Sequence, residues 1–190
     1  MRKSIFLLFI LIGFSACQED QQPKPKGYLA LDYPPHTYEK VFLNCPFYFE
    51  KNQMANISPA MKENYCWFNL EYPLLNGTIF ITYKPIDNNL EELLIDAQKM
   101  PLQHTIKADA INMKEYIDER HRVFGNFYEV SGDAASQAQF YITDSIRHFL
   151  TGSAYFNVQP NYDSIVPAAA YLKKDIRHLM ESVRWEVSTQ

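Results

Sequence analysis

The sequence GTIFITY at positions 77–83 is the clearest strand pattern in the first half of the chain. After Gly77, alternate positions carry Ile79, Ile81 and Tyr83 on one side and Thr78, Phe80 and Thr82 on the other. A two-residue alternation of this kind is typical of a β-strand. Because apolar residues occur on both sides, the pattern predicts a central strand that is covered on both of its faces.

Further strands are predicted on both sides of this stretch, wherever apolar or aromatic residues alternate over several positions. Toward the amino terminus they cover positions 28–31, 45–50 and 67–72, and the polar segment 52–64 is predicted to be an irregular surface loop. In the second half they cover positions 123–130, 137–143 and 147–157. The turn signals between them, Ser131-Gly132-Asp133 and Asp144-Ser145, favour antiparallel neighbours.

Two helices are predicted from apolar residues spaced three or four positions apart. The first begins after Asn88 or Asn89, either of which suits a helix cap, and Pro101 stops or kinks it. A further helical turn is predicted at positions 105–110. The last helix begins at Asp163 or Ser164, and its apolar stripe consists of Ile165, Ala169, Leu172, Ile176, Leu179 and Val183. Strands and helices in this order, without regular alternation, predict an α+β fold around a mostly antiparallel sheet.

The amino terminus has the three-part build of a secretory signal peptide. Arg2 and Lys3 are followed by an apolar run at positions 5–14, which is too short to cross a bilayer, and then by Ser15-Ala16-Cys17. The last residues resemble a bacterial lipobox, in which the cysteine is acylated, palmitate among the acyl groups, and becomes the first residue after cleavage. The alternative is an ordinary cleaved signal with an incidental cysteine. We therefore expect a signal peptide at 1–16 and lipidation of Cys17.

The segment after Cys17 is polar and carries two prolines, so positions 17–26 are predicted to be the lipidated residue and a flexible tether. The rest, positions 27–190, is long enough for one globular domain with a sizeable core. The chain has a formal net charge of −4, and losing Arg2 and Lys3 with the signal would make it more acidic. An acidic chain without a clustered basic segment argues against nucleic acid as a partner.

Cys45 and Cys66 are the thiols that remain once Cys17 is assigned to lipid. Because the bacterial envelope is oxidising, we expect them to form a disulfide, which in the chain-entropy model stabilises the fold by about 3 kcal/mol. Two free buried thiols are the main alternative, and a catalytic cysteine is a third. Neither residue has the nearby histidine or second cysteine that a zinc site needs, so no metal and no other cofactor is predicted.

The sequence carries no phosphate-binding loop, zinc-protease helix or nucleophile elbow. His148 is the histidine most suited to chemistry, because Asp144 lies at the preceding turn and Glu129 is expected on a neighbouring strand. A histidine with two carboxylates serves general acid–base catalysis or metal binding. The alternative is a half-buried histidine that is satisfied by one carboxylate. Because no nucleophile accompanies the histidine and the two carboxylates, no catalytic residue is predicted.

Several sequence blocks resemble the gliding motility lipoprotein GldD family of Bacteroidetes. They are the lipobox, GYLALDYP (27–34), YKP (83–85), HTIKAD (104–109), FYEVSGDAASQ (127–137), HFLTGS (148–153) and AAAYLKKD (168–175). The resemblance implies a non-enzymatic envelope lipoprotein that is needed for surface gliding and the linked type IX secretion system. The resemblance implies no catalytic residue in this chain. A weaker likeness, of positions 148–152 and the closing helix to PsbP and Mog1 domains, implies an α/β/α sandwich.

Two classes of function remain open from the sequence. The first is an accessory or assembly factor, anchored in the outer membrane and facing the periplasm, that docks on other gliding or secretion proteins of the envelope. The second is an envelope hydrolase that uses His148, Glu129 and Asp144. A small-ligand-binding lipoprotein with the same three residues is a variant of the second.

Overall fold

The computed structural model describes residues 32–61, 64–102, 108–157 and 162–186. The strands in these ranges are β1 (Tyr38–Phe42), β2 (Phe47–Asn52), β3 (Asn56–Met61), β4 (Asn64–Tyr72), β5 (Gly77–Pro85), β6 (Ala108–Asp118), β7 (Val123–Gly132), β8 (Ser136–Thr143), β9 (His148–Phe156) and β10 (Arg184–Trp185). Helix α1 spans Leu90–Leu102 and helix α2 spans Tyr162–Ser182. One turn of 3-10 helix, Pro73–Leu75, joins β4 to β5.

The main sheet has seven strands in the order β3-β4-β5-β9-β8-β7-β6, and every neighbouring pair is antiparallel. A smaller antiparallel sheet has the order β1-β2-β10. These two sheets and two helices confirm the predicted α+β class. The likeness to PsbP and Mog1 domains stays a prediction.

The two helices lie on opposite faces of the main sheet. Phe149 and Leu150 are neighbours in β9, so their side chains point to opposite faces. Leu150 belongs to the large core that α2 closes with Leu172 and Ile176. Phe149 belongs to a second cluster, formed with side chains of α1, β7 and β8. The small sheet adjoins α2 on the first face, where Phe49 of β2 stacks on Phe68 of β4.

Strand β5 has the interior position that its sequence predicts, between β4 and β9. Ile79 and Ile81 are fully buried in the core under α2. On the other side, however, Phe80 keeps 41% of its surface exposed. Helix α1 packs on side chains of β7, β8 and β9 rather than on β5. The expectation that this strand is covered on both faces is therefore wrong at Phe80, although Thr78 on the same side is buried.

Both edge strands of the main sheet differ from the structure that their sequence predicts. The segment 52–64, which is predicted to be a loop, contains β3. The end of segment 105–110, which is predicted to be a helical turn, belongs to β6. Most side chains of both strands are exposed. An edge strand with no buried face lacks the apolar alternation on which strand prediction depends. Positions 103–107, and the predicted strand at 28–31, lie outside the described residues.

The remaining predicted strands and both helices are present, with shifted ends. Helix α2 begins at Tyr162, ahead of the predicted start at Asp163 or Ser164, and Pro167 lies inside it. Its predicted apolar stripe is buried along its whole length. Cys45 and Cys66 form a disulfide in the structure, with their Cα atoms 5.5 Å apart, and it links the segment between β1 and β2 to β4.

A buried polar network ties the residues before β1 to helix α2. Asp175 of α2 is 3% exposed, and its carboxylate accepts hydrogen bonds from Tyr38 Oη at 2.9 Å and Asn52 Nδ2 at 3.0 Å. His36 Nδ1 lies 2.6 Å from the same carboxylate, and the His36 ring stacks on Tyr171 with centroids 3.9 Å apart. One carboxylate thus joins β1, β2, α2 and the segment that precedes them.

Candidate functional site

Three segments meet at one end of the main sheet and enclose a cleft of about 450 Å³. The β6–β7 turn contributes residues 120–122, the β8–β9 turn contributes Asp144 and residues 146–148, and the carboxyl-terminal segment contributes residues 184–186. They come from distant parts of the sequence. The order of the strands brings them together.

The β8–β9 turn is built around the carboxylate of Asp144. Its Oδ1 accepts hydrogen bonds from the backbone N–H groups of Ile146 at 2.9 Å, Arg147 at 2.8 Å and His148 at 2.8 Å. Burial alone would raise the pKa of Asp144, but these three N–H donors hold it below its ordinary value. Asp144 is therefore an ionised, structural residue that orients the turn.

The β6–β7 turn is closed in a similar way by Asp118. Its Oδ1 accepts the backbone N–H of His121 at 3.1 Å, and its Oδ2 lies 2.6 Å from His121 Nδ1. The hydrogen bond with His121 lowers the pKa of Asp118. Arg122 follows with a φ of 54°, and its Nη2 donates to the Asp144 carbonyl oxygen at 3.1 Å. This bond connects the two turns across the cleft.

Trp185 supplies the aromatic wall of the cleft. Strand β10 places it opposite Phe47 of β2, and its Nε1 donates to the Arg122 carbonyl oxygen at 3.0 Å. The indole stacks on the His148 ring with centroids 5.1 Å apart and an angle of 11° between planes. The carboxyl-terminal strand is thus held against both turns.

His148 is 7% exposed and lies behind Trp185, where its Nδ1 is 2.9 Å from Tyr83 Oη. Burial lowers its pKa below the ordinary value, and this effect outweighs the opposing effect of the Asp144 charge. The nearby Arg147 lowers the pKa further. The imidazole is therefore neutral at pH 7, and its polar contacts help to build the wall of the cleft.

Glu129 does not belong to this cleft. It pairs with Ala138 of β8, which pairs with Ala154 of β9, and Ala154 is six residues from His148 along that strand. At roughly 3.3 Å per residue the separation is about 20 Å. The expected proximity of Glu129 to His148 is corrected, because β8 lies between their strands.

The environment of Glu129 also differs from that of a catalytic acid. Its Oε1 accepts hydrogen bonds from Lys114 Nζ at 2.7 Å and Arg177 Nη2 at 2.8 Å. Burial would raise the pKa of Glu129, but these two cations, together with Lys173, lower it overall. A general acid needs a raised pKa at neutral pH, whereas this carboxylate stays ionised.

Positive charge is concentrated around the cleft. Its lining includes four arginines, Arg120, Arg122, Arg147 and Arg184, and two carboxylates, Asp144 and Glu186. Within the described parts of the chain, none of these four guanidinium groups forms an ion pair with a carboxylate. The sequence does not reveal this group, because single arginines at distant positions give no local signal. In a chain of net charge −4, this cleft is a local site of attraction for anions.

The described residues contain neither a metal-binding cluster nor a helix suited to span a bilayer. Within ranges 32–61, 64–102, 108–157 and 162–186, no group of three or more His, Cys, Asp or Glu side chains is arranged to hold a metal ion. Over the same ranges, no helix has both the length and the apolar character needed to span a bilayer. Cys17, the predicted lipidation site, lies outside the described residues.

The buried state of His148 predicts a pH dependence of stability. In the unfolded chain His148 titrates near its ordinary pKa of about 6.5, whereas in the folded protein its pKa is lower. As the pH falls from 7 through 6.5 toward the folded pKa, the unfolded state binds more protons, so the free energy of unfolding decreases. We expect His148→Gln to show a smaller decrease than the wild type in urea unfolding at pH 7, 6 and 5.

Three carboxylates with lowered pKa values act at lower pH. Asp118, Glu129 and Asp144 have lowered pKa values, so their contribution to stability is lost below their ordinary values near 4. The difference between His148→Gln and the wild type from pH 7 to pH 5 therefore reports on the His148 imidazole. Equal pH slopes for His148→Gln and the wild type would contradict the assignment of a neutral, buried imidazole.

A family of known proteins matches most of this chain. The family described as gliding motility lipoprotein GldD matches residues 18–185 of the 190-residue chain, a span that includes nearly all of the described domain. A search of curated proteins finds no match. The family match extends through Trp185 and so includes the β6–β7 turn, the β8–β9 turn and most of the carboxyl-terminal wall of the cleft. The chain belongs to the gliding motility lipoprotein GldD family.

Proposed function

We propose that this lipoprotein is a non-enzymatic accessory or assembly factor for gliding motility and for the linked type IX secretion system. A lipid on Cys17 anchors it in the outer membrane, and the domain faces the periplasm, where it docks on other motility and secretion proteins. The membership in the gliding motility lipoprotein family supports the motility role and the membrane anchor. The link to secretion and the docking role are our proposal.

The observation that carries the binding role is the contrast between two sets of polar groups. The carboxylates of Glu129 and Asp144 are engaged in contacts that build the fold. By contrast, four arginines line an open cleft, and no carboxylate of the described residues forms an ion pair with them. Charged groups left available at a preformed cleft suit recognition of a partner or ligand.

The hydrolase alternative is tested with Glu129→Gln. Glu129 lies outside the cleft and its ion pairs are partly exposed, so the substitution should change stability by less than about 1 kcal/mol. We expect cells that carry this variant to glide and to secrete type IX cargo at wild-type rates. Loss of both activities with a stably folded protein would favour a catalytic role for this carboxylate.

The anchor is tested with Cys17→Ala in cells. Without the cysteine there is no sulfur to acylate, so the domain leaves the membrane surface and its local concentration near membrane partners falls. We expect gliding and secretion to be lost while the domain stays folded, with Gln18→Ala as the matched control that keeps both activities. Full gliding by a Cys17→Ala strain would show that anchoring is dispensable.

The assembly role and the orientation need separate experiments. Crosslinking in cells followed by purification and mass spectrometry should recover identified motility or secretion components, and recovery of none would contradict the proposed docking. Protease treatment of intact cells should leave the domain uncut if it faces the periplasm. Cleavage without breaking the outer membrane would place it on the cell surface instead.

A further inference from the structure

The net positive charge of the cleft favours an anionic ligand. Four guanidinium groups carry four positive charges, and the two carboxylates of the lining leave a net charge of about +2. One of those carboxylates, Asp144, already accepts three backbone hydrogen bonds through Oδ1. Elsewhere in the described protein, Lys51, Lys114 and Arg177 each pair with a glutamate. The four cleft arginines differ from these three cations, because no carboxylate of the described residues pairs with them.

Two of the arginines are held in place before any ligand binds. Arg122 Nη2 donates to the Asp144 carbonyl oxygen, and Arg184 Nη1 donates to the carbonyl oxygens of Glu181 at 2.9 Å and Val183 at 2.7 Å. A guanidinium has five N–H donors, so each of them keeps donors for a ligand. Side chains that are already oriented lose less entropy on binding, which favours affinity.

The volume and the lining of the cleft indicate the size of the ligand and its apolar portion. A volume of about 450 Å³ exceeds what a bare phosphate ion needs and falls in the range of sites for small organic molecules. Trp185 and the exposed side chain of Ile146 give the lining apolar area beside the arginines. A ligand with an anionic group and a body of about the size of a sugar ring would contact both the arginines and the apolar lining.

We propose that this cleft binds a phosphate monoester carried on a sugar-sized body, with the phosphate held by the cleft arginines and the body lying beside Trp185 and Ile146. A phosphate monoester carries close to two negative charges at neutral pH, which matches the net charge of the cleft. Its oxygens also match the planar fork of donors that arginine presents. The inference goes beyond the assembly role and stands independently of it.

Such a group has two sources, a soluble sugar phosphate and the phosphorylated headgroup of a membrane glycolipid. Both present the same chemistry to the arginines. We therefore test both with the complete mature lipoprotein in non-ionic detergent. The probes are glucose 6-phosphate and lipid A dispersed in the same detergent, and binding is followed by calorimetry and by tryptophan fluorescence.

We expect saturable binding of at least one of the two phosphorylated probes, weakened by added salt. Glucose and glucuronate should bind at least about tenfold more weakly, because neither carries a dianion. The tighter of the two phosphorylated probes identifies the source of the ligand. Absence of saturable binding by both, or equal binding of glucuronate, would overturn the proposal.

The cleft is located by matched arginine variants. Arg147→Gln and, separately, Arg120→Gln remove one exposed cation each from the lining, and each should weaken binding about tenfold. Arg177→Gln removes an arginine that lies outside the cleft and pairs with Glu129, so it should leave the affinity unchanged. Affinity that survives both cleft variants, or that falls equally in Arg177→Gln, would place the anion elsewhere and refute the site. Gliding is not a readout here, so failure of this test leaves the assembly role to its own experiments.

Discussion

Replacing Asp175 with alanine is expected to lower the free energy of unfolding by about 3–5 kcal/mol. The carboxylate is 3% exposed and is contacted by His36, Tyr38 and Asn52. Its removal leaves several buried polar groups without their partner, and each such group costs about 1–3 kcal/mol. The measurement is urea unfolding of the mature protein, followed by tryptophan fluorescence and circular dichroism.

Lys174→Ala is the matched control for this experiment. Lys174 is the preceding residue of helix α2, but its side chain is exposed. Surface substitutions of this kind change stability by about 0.5 kcal/mol or less. Equal unfolding free energies for Asp175→Ala and Lys174→Ala would show that the buried network does not support the fold.

Phe49→Ala is expected to cost about 3–5 kcal/mol, because a large buried side chain is replaced by a cavity. Phe49 is 1% exposed and its ring stacks on Phe68 with centroids 5.5 Å apart. The contact joins the small sheet to the main sheet, so the loss should appear as a shift of the whole unfolding transition. The same denaturant titration measures it.

The control is Phe42→Ala, which deletes the same side chain from the neighbouring strand. Phe42 keeps 70% of its surface exposed, so its removal opens no cavity, and the expected change stays within about 0.5 kcal/mol. If Phe49→Ala unfolds at the same urea concentration as Phe42→Ala, the small sheet does not contribute to the core in the way described.

Much of the fold was predictable because buried strands leave a periodic record in the sequence. The strands at 77–83, 123–130 and 137–143 were found from alternation, and the closing helix from its apolar stripe. Strands β3 and β6 were missed because they lie at the edges of the main sheet and expose most side chains. They are held mainly by backbone pairing with β4 and β7, and their exposed side chains leave little apolar alternation in the sequence.

The candidate site was predictable only in part. His148 and Asp144 were singled out, and both line the cleft, but the third member of the expected cluster, Glu129, lies about 20 Å away. Its order along the chain predicts a neighbouring strand, whereas β8 lies between the strands of Glu129 and His148. Adjacency along the chain predicts contacts within one turn, but contacts between strands depend on the order of the sheet.

The sequence by itself determined the α+β class, the interior strand at 77–83 and the family, because these depend on local periodicity and on continuous blocks of residues. Only the tertiary structure decided which strands lie at the edges, which face of β5 stays open, and that Arg120, Arg122, Arg147 and Arg184 surround one cleft. The physical reason is that an antiparallel sheet brings the turns at one end of its strands together, whatever their separation along the chain. The role of a single arginine therefore depends on residues that are far away in the sequence but adjacent in the fold.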